Sequence, residues 1–123
     1  MGEMITDLKS FDEGRKITWE SDGAHFSKKY NRAATAALLC DNKYVAIVEP
    51  DESSYPNNAV FYDEKGKFVR RIQNPCVDQG SMCFDSIYPS NGKLILVAVC
   101  PRVFYECRLS AMDGQIVSIN ETR

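Results

Sequence analysis

The most apolar run of the chain is Leu94-Ile95-Leu96-Val97-Ala98-Val99-Cys100. It lies within residues 81–120, where apolar and aromatic segments alternate with turns that contain Gly, Asn, Pro or Asp. This alternation predicts an antiparallel meander of consecutive strands. The four predicted strands are Met82–Tyr88, Leu94–Cys100, Val103–Ser110 and Gln115–Asn120.

Residues 34–73 predict a second meander of the same kind, with strands at Ala34–Cys40, Tyr44–Glu49, Ala59–Asp63 and Lys67–Gln73. The two blocks align in part: 41–47 with 91–97, and the triplet Val60-Phe61-Tyr62 with Val103-Phe104-Tyr105. Each unit resembles a β-propeller blade in its period, but a propeller needs about four blades or more. Duplication of one unit and chance likeness of two meanders both explain the alignment.

Residues 1–30 are predicted to form an N-terminal lead-in and a hairpin. Residues 1–15 are charged and mixed, so a short helix and an irregular segment are both possible. Residues 16–20 alternate and predict a strand, and residues 24–30 predict the returning strand. Ile17 and Trp19 are expected to cover an open end or edge of the fold.

Two meanders that each have one apolar face can bury those faces against each other. The predicted fold is therefore all-β. Residues 1–123 form one domain, an antiparallel β-sandwich or partly closed barrel built from two four-stranded, blade-like meanders. By the repeat, Val60 and Tyr62 should point inward and Asp63 outward. In the second meander, alternate residues should point inward: Val103, Tyr105, Cys107 and Leu109.

Charge and composition argue against several functional classes. The chain has 17 acidic and 15 basic residues and a formal net charge of −2, which favours neither nucleic acid nor a membrane surface as partner. The N-terminal residues lack the basic and apolar regions of a secretory signal, so a cytoplasmic location is expected. The odd number of cysteines and the lack of short metal-knuckle spacing predict reduced, metal-free thiols at Cys40, Cys76, Cys83, Cys100 and Cys107.

The sequence contains no catalytic or cofactor-binding motif. His25 is the single histidine, which disfavours a nucleophilic triad, and no phosphate-binding glycine loop is present. No cofactor is therefore expected. The remaining candidates for acid–base chemistry are carboxylates at turns, namely Glu49, Asp51, Glu52, Asp63 and Glu64.

The most distinctive polar segment is the long loop at residues 50–58, which contains Pro50 and Pro56. Long loops on rigid β-scaffolds often carry binding functions. An acidic loop with an aromatic side chain suits a basic protein surface. The predicted partner-binding residues are Glu49, Asp51, Glu52 and Tyr55.

A small, mildly acidic, all-β chain without catalytic motifs resembles the immunity proteins of bacterial toxin systems, including those of contact-dependent growth inhibition. The resemblance covers the general character of the whole chain. It implies a non-enzymatic, cytoplasmic protein that binds a toxin domain with a basic active-site surface, such as a nuclease, and blocks that site. No motif carries the resemblance, so it assigns a role to no individual residue.

Two other functions fit the sequence. The chain could be a small-ligand-binding β-barrel whose ligand lies among Trp19, Tyr44, Tyr62 and Tyr105. It could also be an enzyme that uses its turn carboxylates. An internal apolar cavity would favour the ligand-binding function, and an acidic surface around the long loop would favour protein binding.

Overall fold

The computed structural model describes residues 4–110 and 112–122. The strands, in chain order, are β1 (Ile5–Phe11), β2 (Lys16–Ser21), β3 (Ala24–Lys29), β4 (Thr35–Leu39), β5 (Tyr44–Val48), β6 (Ala59–Asp63), β7 (Phe68–Ile72), β8 (Cys83–Ser90), β9 (Lys93–Val99), β10 (Phe104–Leu109) and β11 (Ile116–Thr122). Short 3₁₀ turns occupy Asp12–Gly14, Glu52–Ser54 and Val77–Gln79. No helix of the described residues is long and apolar enough to cross a membrane.

The strands form three antiparallel sheets, each a meander of sequence neighbours. The N-terminal sheet has the order β1-β2-β3, the middle sheet β4-β5-β6-β7, and the C-terminal sheet β11-β10-β9-β8. The prediction of an all-β, antiparallel sandwich is confirmed. Over the described part of the chain the sheets stay open and do not close into a barrel.

The middle sheet is covered on both faces along β5 and β6, whereas Phe68 and Val69 of its edge strand β7 are exposed. On one face, Ala46 and Phe61 pack with Leu96 of the C-terminal sheet in what we call the C-terminal core. On the other face, Val45 packs with Trp19 of the N-terminal sheet in the N-terminal core. The sequence explains this arrangement, because β5 is apolar without alternation, as is typical of strands covered on both sides.

Two expectations for the N-terminal residues are wrong. Residues 5–11 form strand β1, and not a helix or an irregular segment. Because the register of β1 shifts between Thr6 and Lys9, apolar and polar residues do not alternate regularly along this strand in the sequence. Ile17 and Trp19 cover one face of the middle sheet, and not its end or edge. The indole Nε1 of Trp19 donates to the backbone oxygen of Glu64 over 2.9 Å.

The inward residues were predicted correctly in β10. Cys107 and Leu109 are fully buried, Tyr105 packs against the same core, and Phe104 is 47% exposed. Val103 precedes the strand and is half-buried.

The corresponding prediction for β6 is wrong. Phe61 faces the C-terminal core, whereas Tyr62 packs against the N-terminal core. Val60 is fully buried, but it lies on the same face of β6 as Tyr62. In the sheets, Ala46 pairs with Phe61 and Leu96 pairs with Cys107. The sequence alignment matches Phe61 with Phe104, but these strand pairings match Phe61 with Cys107. The two matches differ by an odd number of residues, so the alignment places each side chain of β6 on the wrong face.

Candidate protein-binding site

The loop between β5 and β6 has a closed base and a capped tip. At the base, the backbone N–H of Glu49 donates to the oxygen of Asn58 over 2.8 Å. At the tip, the Asp51 carboxylate accepts from the N–H of Ser53 (3.0 Å) and from its hydroxyl (2.7 Å). These bonds lower the pKa of Asp51, so its carboxylate is charged at neutral pH.

Glu49 lies inside the protein, in contrast to the exposed position that a partner-binding residue needs. Its side chain is 8% exposed, and its Oε2 accepts from the hydroxyls of Tyr30 (2.7 Å) and Tyr62 (2.6 Å). Burial, followed by the Glu49 carboxylate, raises the pKa of both phenols. Glu49 therefore ties the base of the loop to the N-terminal and middle sheets.

Asn58 joins the loop to the C-terminal sheet. Its side chain is 1% exposed; Nδ2 donates to the backbone oxygens of Glu49 (2.8 Å) and Phe84 (2.9 Å), and Oδ1 accepts from the N–H of Phe84 (2.8 Å). The Asn58 side-chain amide thus pairs with the backbone of Phe84 as a neighbouring strand would. This role is not apparent in the sequence, because Asn57-Asn58 is also typical of an exposed turn.

Asn74 fixes the same loop to the linker between the middle and C-terminal sheets. Its Nδ2 donates to Ser81 Oγ (2.9 Å) and to the oxygen of Pro56 (3.3 Å). Its backbone N–H donates to Asn57 Oδ1 over 2.8 Å. The stem of the loop and the linker are therefore held together by buried amides.

The outer surface of this region is an open groove of about 590 Å³ lined by Glu52, Tyr55, Pro56, Ser81 and Met82. Asp51 and Glu52 are exposed at the loop tip, and Tyr55 is half-buried. Met82 is 75% exposed on the linker side. Of the four predicted partner-binding residues, Glu52 and Tyr55 line this groove, Asp51 is exposed at the adjacent loop tip, and Glu49 is buried.

The aromatic residues of the ligand-binding hypothesis do not share a cavity. Trp19 and Tyr62 belong to the N-terminal core, whereas Tyr44 and Tyr105 belong to the C-terminal core. The middle sheet separates the two pairs. The predicted ligand site among these four residues is therefore wrong.

Three of the five turn carboxylates, Glu49, Asp51 and Asp63, accept structural hydrogen bonds. Asp63, which was predicted to point outward, is half-buried. Its Oδ1 accepts from the N–H groups of Lys65 and Lys67, each over 2.9 Å, as in an Asx turn. Asp63 thus stabilises the hairpin between β6 and β7, just as Asp51 stabilises the loop tip.

The five cysteines are free thiols. Cys76, Cys100 and Cys107 are buried, and burial raises the pKa of the Cys107 thiol to about 12. Among the residues that the structure describes, no cluster of three or more His, Cys, Asp or Glu side chains could hold a metal ion.

Comparison with known proteins gives a likeness of fold. No protein-family model matches the sequence, and no curated protein sequence matches it. A chain in the solved structure of Tne2 in complex with Tni2 is similar, with a TM-score of 0.63 and 17% sequence identity. The similarity covers 88% of this chain and 77% of that chain.

Proposed function

We propose that this chain is a non-enzymatic protein-binding module of the immunity type. It neutralises a toxin domain in the bacterial cytoplasm by covering the toxin's active site, as in contact-dependent growth inhibition. The fold supports this proposal, because a similar chain belongs to a complex of two proteins, Tne2 and Tni2. The observation that carries it is the charged loop tip, held on a stem that Glu49, Asn58 and Asn74 fix by hydrogen bonds.

The loop tip is suited to a basic partner. Asp51 and Glu52 are exposed, and opposite charges across an interface accelerate encounter and select the partner. Buried amides already fix the stem, so binding orders little additional chain and loses little conformational entropy. A nuclease is a suitable target, because its active site must attract an anionic substrate.

Tyr55 is the residue of the loop best suited to hold the partner after encounter. It lies half-buried beside Pro56 at the edge of the groove. Aromatic side chains near the centre of an interface commonly contribute most of the binding free energy. The acidic tip and Tyr55 therefore have separable roles in association and dissociation.

The test is a growth assay in which this chain is co-expressed with the toxin encoded beside its gene, followed by binding kinetics with the same pair. Asp51→Lys with Glu52→Lys should slow association, most strongly at low salt. Tyr55→Ala should accelerate dissociation, with a loss of about 2 kcal/mol or more in binding free energy.

The charge control is Asp12→Lys with Glu13→Lys in another exposed turn. Both residues have positive φ (+53° and +58°), so urea denaturation first establishes that this variant is folded. This control should protect cells and bind at the wild-type rates. Failure of the unaltered chain to protect would contradict the immunity function. If the loop variants protected cells and kept the wild-type association and dissociation rates, the interface would lie elsewhere on the protein.

A further inference from the structure

We propose that the groove between Tyr55, Pro56 and Met82 receives an apolar side chain from a basic segment of the protein partner. The inference rests on the proposed function, and it adds the linker as a second half of the binding surface. It also names the chemistry of the partner segment, an apolar residue flanked by Lys or Arg.

Met82 is displayed on a fixed backbone. The preceding residue, Ser81, is 4% exposed; its hydroxyl donates to the oxygen of Cys83 over 3.1 Å and accepts from Asn74 Nδ2 over 2.9 Å. Met82 itself is 75% exposed. A flexible, polarisable methionine on a rigid support is well suited to adapt to an incoming apolar side chain.

The opposite wall of the groove is equally well supported. The oxygen of Pro56 accepts from Asn74 Nδ2 over 3.3 Å. The same amide therefore holds the Pro56 backbone on one side and the Ser81 hydroxyl on the other. Tyr55 contributes an aromatic ring, and burial is the largest cause of the raised pKa of its phenol. An apolar side chain between Tyr55 and Met82 would therefore contact both walls without rearrangement of the backbone.

The charges around the groove determine what can flank that side chain. Glu52 lines the groove and Asp51 adjoins it. Asp85, in β8, is exposed. The carboxylate of Asp85 contributes to the raised pKa of the nearby Cys83 thiol, which places its negative charge close to this surface.

Two arginines lie near these acids. Arg32 opposes the burial that raises the pKa of the Tyr55 phenol, and Arg71 adds to the hydrogen bonds that lower the pKa of Asp51. Within the described residues, Asp85 takes part in no ion pair. Arg32 Nη2 lies 3.6 Å from Glu52 Oε1, and both side chains are exposed, so this pair contributes little. The carboxylates of Asp51, Glu52 and Asp85 outnumber the two arginines at this surface, which favours Lys or Arg next to the inserted apolar residue.

The test uses two synthetic peptides, in which one central leucine or one central serine is flanked on both sides by alternating Lys and Ser. Each is titrated into the full chain carrying ¹³C-methyl-labelled methionine. Met112 is the internal control, because it is 77% exposed in a different turn. The leucine peptide should shift the Met82 methyl signal saturably and leave Met112 unchanged.

The serine peptide should bind about tenfold more weakly, because it lacks the apolar group that contacts the groove. Asp51→Lys with Glu52→Lys should abolish the Met82 shift, since it reverses the charge beside the groove. Equal shifts at Met82 and Met112, no shift at either, or equal affinity of the two peptides would overturn the inference.

A second measurement separates this inference from the proposed function. Met82→Ser should weaken protection against the toxin, whereas Met112→Ser should not. If the acidic-tip variant loses protection while the two methionine variants behave alike, the immunity function stands and the groove is wrong. If the unaltered chain does not protect cells, the function is wrong, and the peptide titration still decides the groove.

Discussion

At the scale of single residues, Asn58 shows how one amide can join two sheets. It satisfies three backbone groups that would otherwise be buried without partners. A buried polar group left unpaired costs about 1–3 kcal/mol. Asn58 is therefore a structural residue, although its sequence context is that of a loop.

Asn58→Ala should lower the free energy of unfolding by roughly 2–4 kcal/mol, because it leaves the N–H and C=O of Phe84 unpaired. The measurement is urea denaturation. Asn31→Ala is the control, since Asn31 is exposed, and its effect should stay within about 0.5 kcal/mol. Equal losses in the two variants would contradict the structural role of Asn58.

The hydrogen bonds of Tyr30 and Tyr62 to Glu49 predict a pH dependence. The pKa of Tyr30 is raised in the folded chain, whereas an unfolded tyrosine titrates near pH 10, about its ordinary value. Above that pH the unfolded state binds fewer protons than the folded state, so stability falls as pH rises. Below it, this contribution is fully present.

Tyr30→Phe should therefore flatten the decline in stability between about pH 9 and pH 11. The measurement is the free energy of unfolding at several pH values. Tyr88→Phe is the comparison, because Tyr88 is 41% exposed and its replacement should leave most of the decline in place. Identical slopes for the Tyr30→Phe variant and the unaltered chain would rule out this linkage.

At the scale of strands and loops, the sequence predicted what local alternation encodes. Alternation identified the buried face of β10, because polar residues occupy its other face. It failed in β6, where Val60, Phe61 and Tyr62 are all apolar or aromatic and both faces are covered. Periodicity cannot assign a face to a strand that is buried on both sides.

The candidate site shows the same limit. The exposed acids Asp51 and Glu52 were predicted from the composition of the loop. The buried position of Glu49 depends on Tyr30 and Tyr62, which are separated from it by 19 and 13 residues in the sequence. Met82 was predicted to lie in a strand, and its place beside Tyr55 depends on how the linker packs.

The turn before β11 locks the middle and C-terminal sheets together. Gly114 packs against the ring of Phe61, and Arg70 Nη2 donates to the Gly114 oxygen over 3.1 Å. A Cβ at Gly114 would overlap the Phe61 ring and lie 2.9 Å from Leu39 Cδ1. The glycine is thus required by close packing as well as by its φ of +71°.

Gly114→Ala should destabilise the fold by about 1–3 kcal/mol more than Gly92→Ala. Gly92 is the matched control, because its φ of +77° is similar and a Cβ there meets nothing within 4 Å. Thermal or urea unfolding of the two variants measures the difference. Similar losses would show that backbone strain alone accounts for the effect at Gly114.

At the scale of the whole molecule, the two cores share one sheet and should unfold together. Leu96 is fully buried in the C-terminal core, while Trp19, the single tryptophan, reports on the N-terminal core. Leu96→Ala should cost about 2–5 kcal/mol. It should lower the unfolding midpoint measured by Trp19 fluorescence as much as that measured by far-UV circular dichroism.

The control is Phe104→Ala, whose side chain is 47% exposed on the outer face of the C-terminal sheet, and its cost should be smaller. If Leu96→Ala shifted the circular dichroism transition but left the Trp19 transition in place, the layers would be independent folding units.

The order of the three sheets also has a consequence during synthesis. Each sheet pairs only consecutive strands, so every ladder closes over a short loop, which favours fast formation. The N-terminal and middle sheets emerge from the ribosome first. Until β8–β11 follow, the face of the middle sheet that carries Ala46 and Phe61 has no cover. A nascent chain that stalls near residue 80 would therefore be prone to aggregate until the C-terminal sheet covers this face.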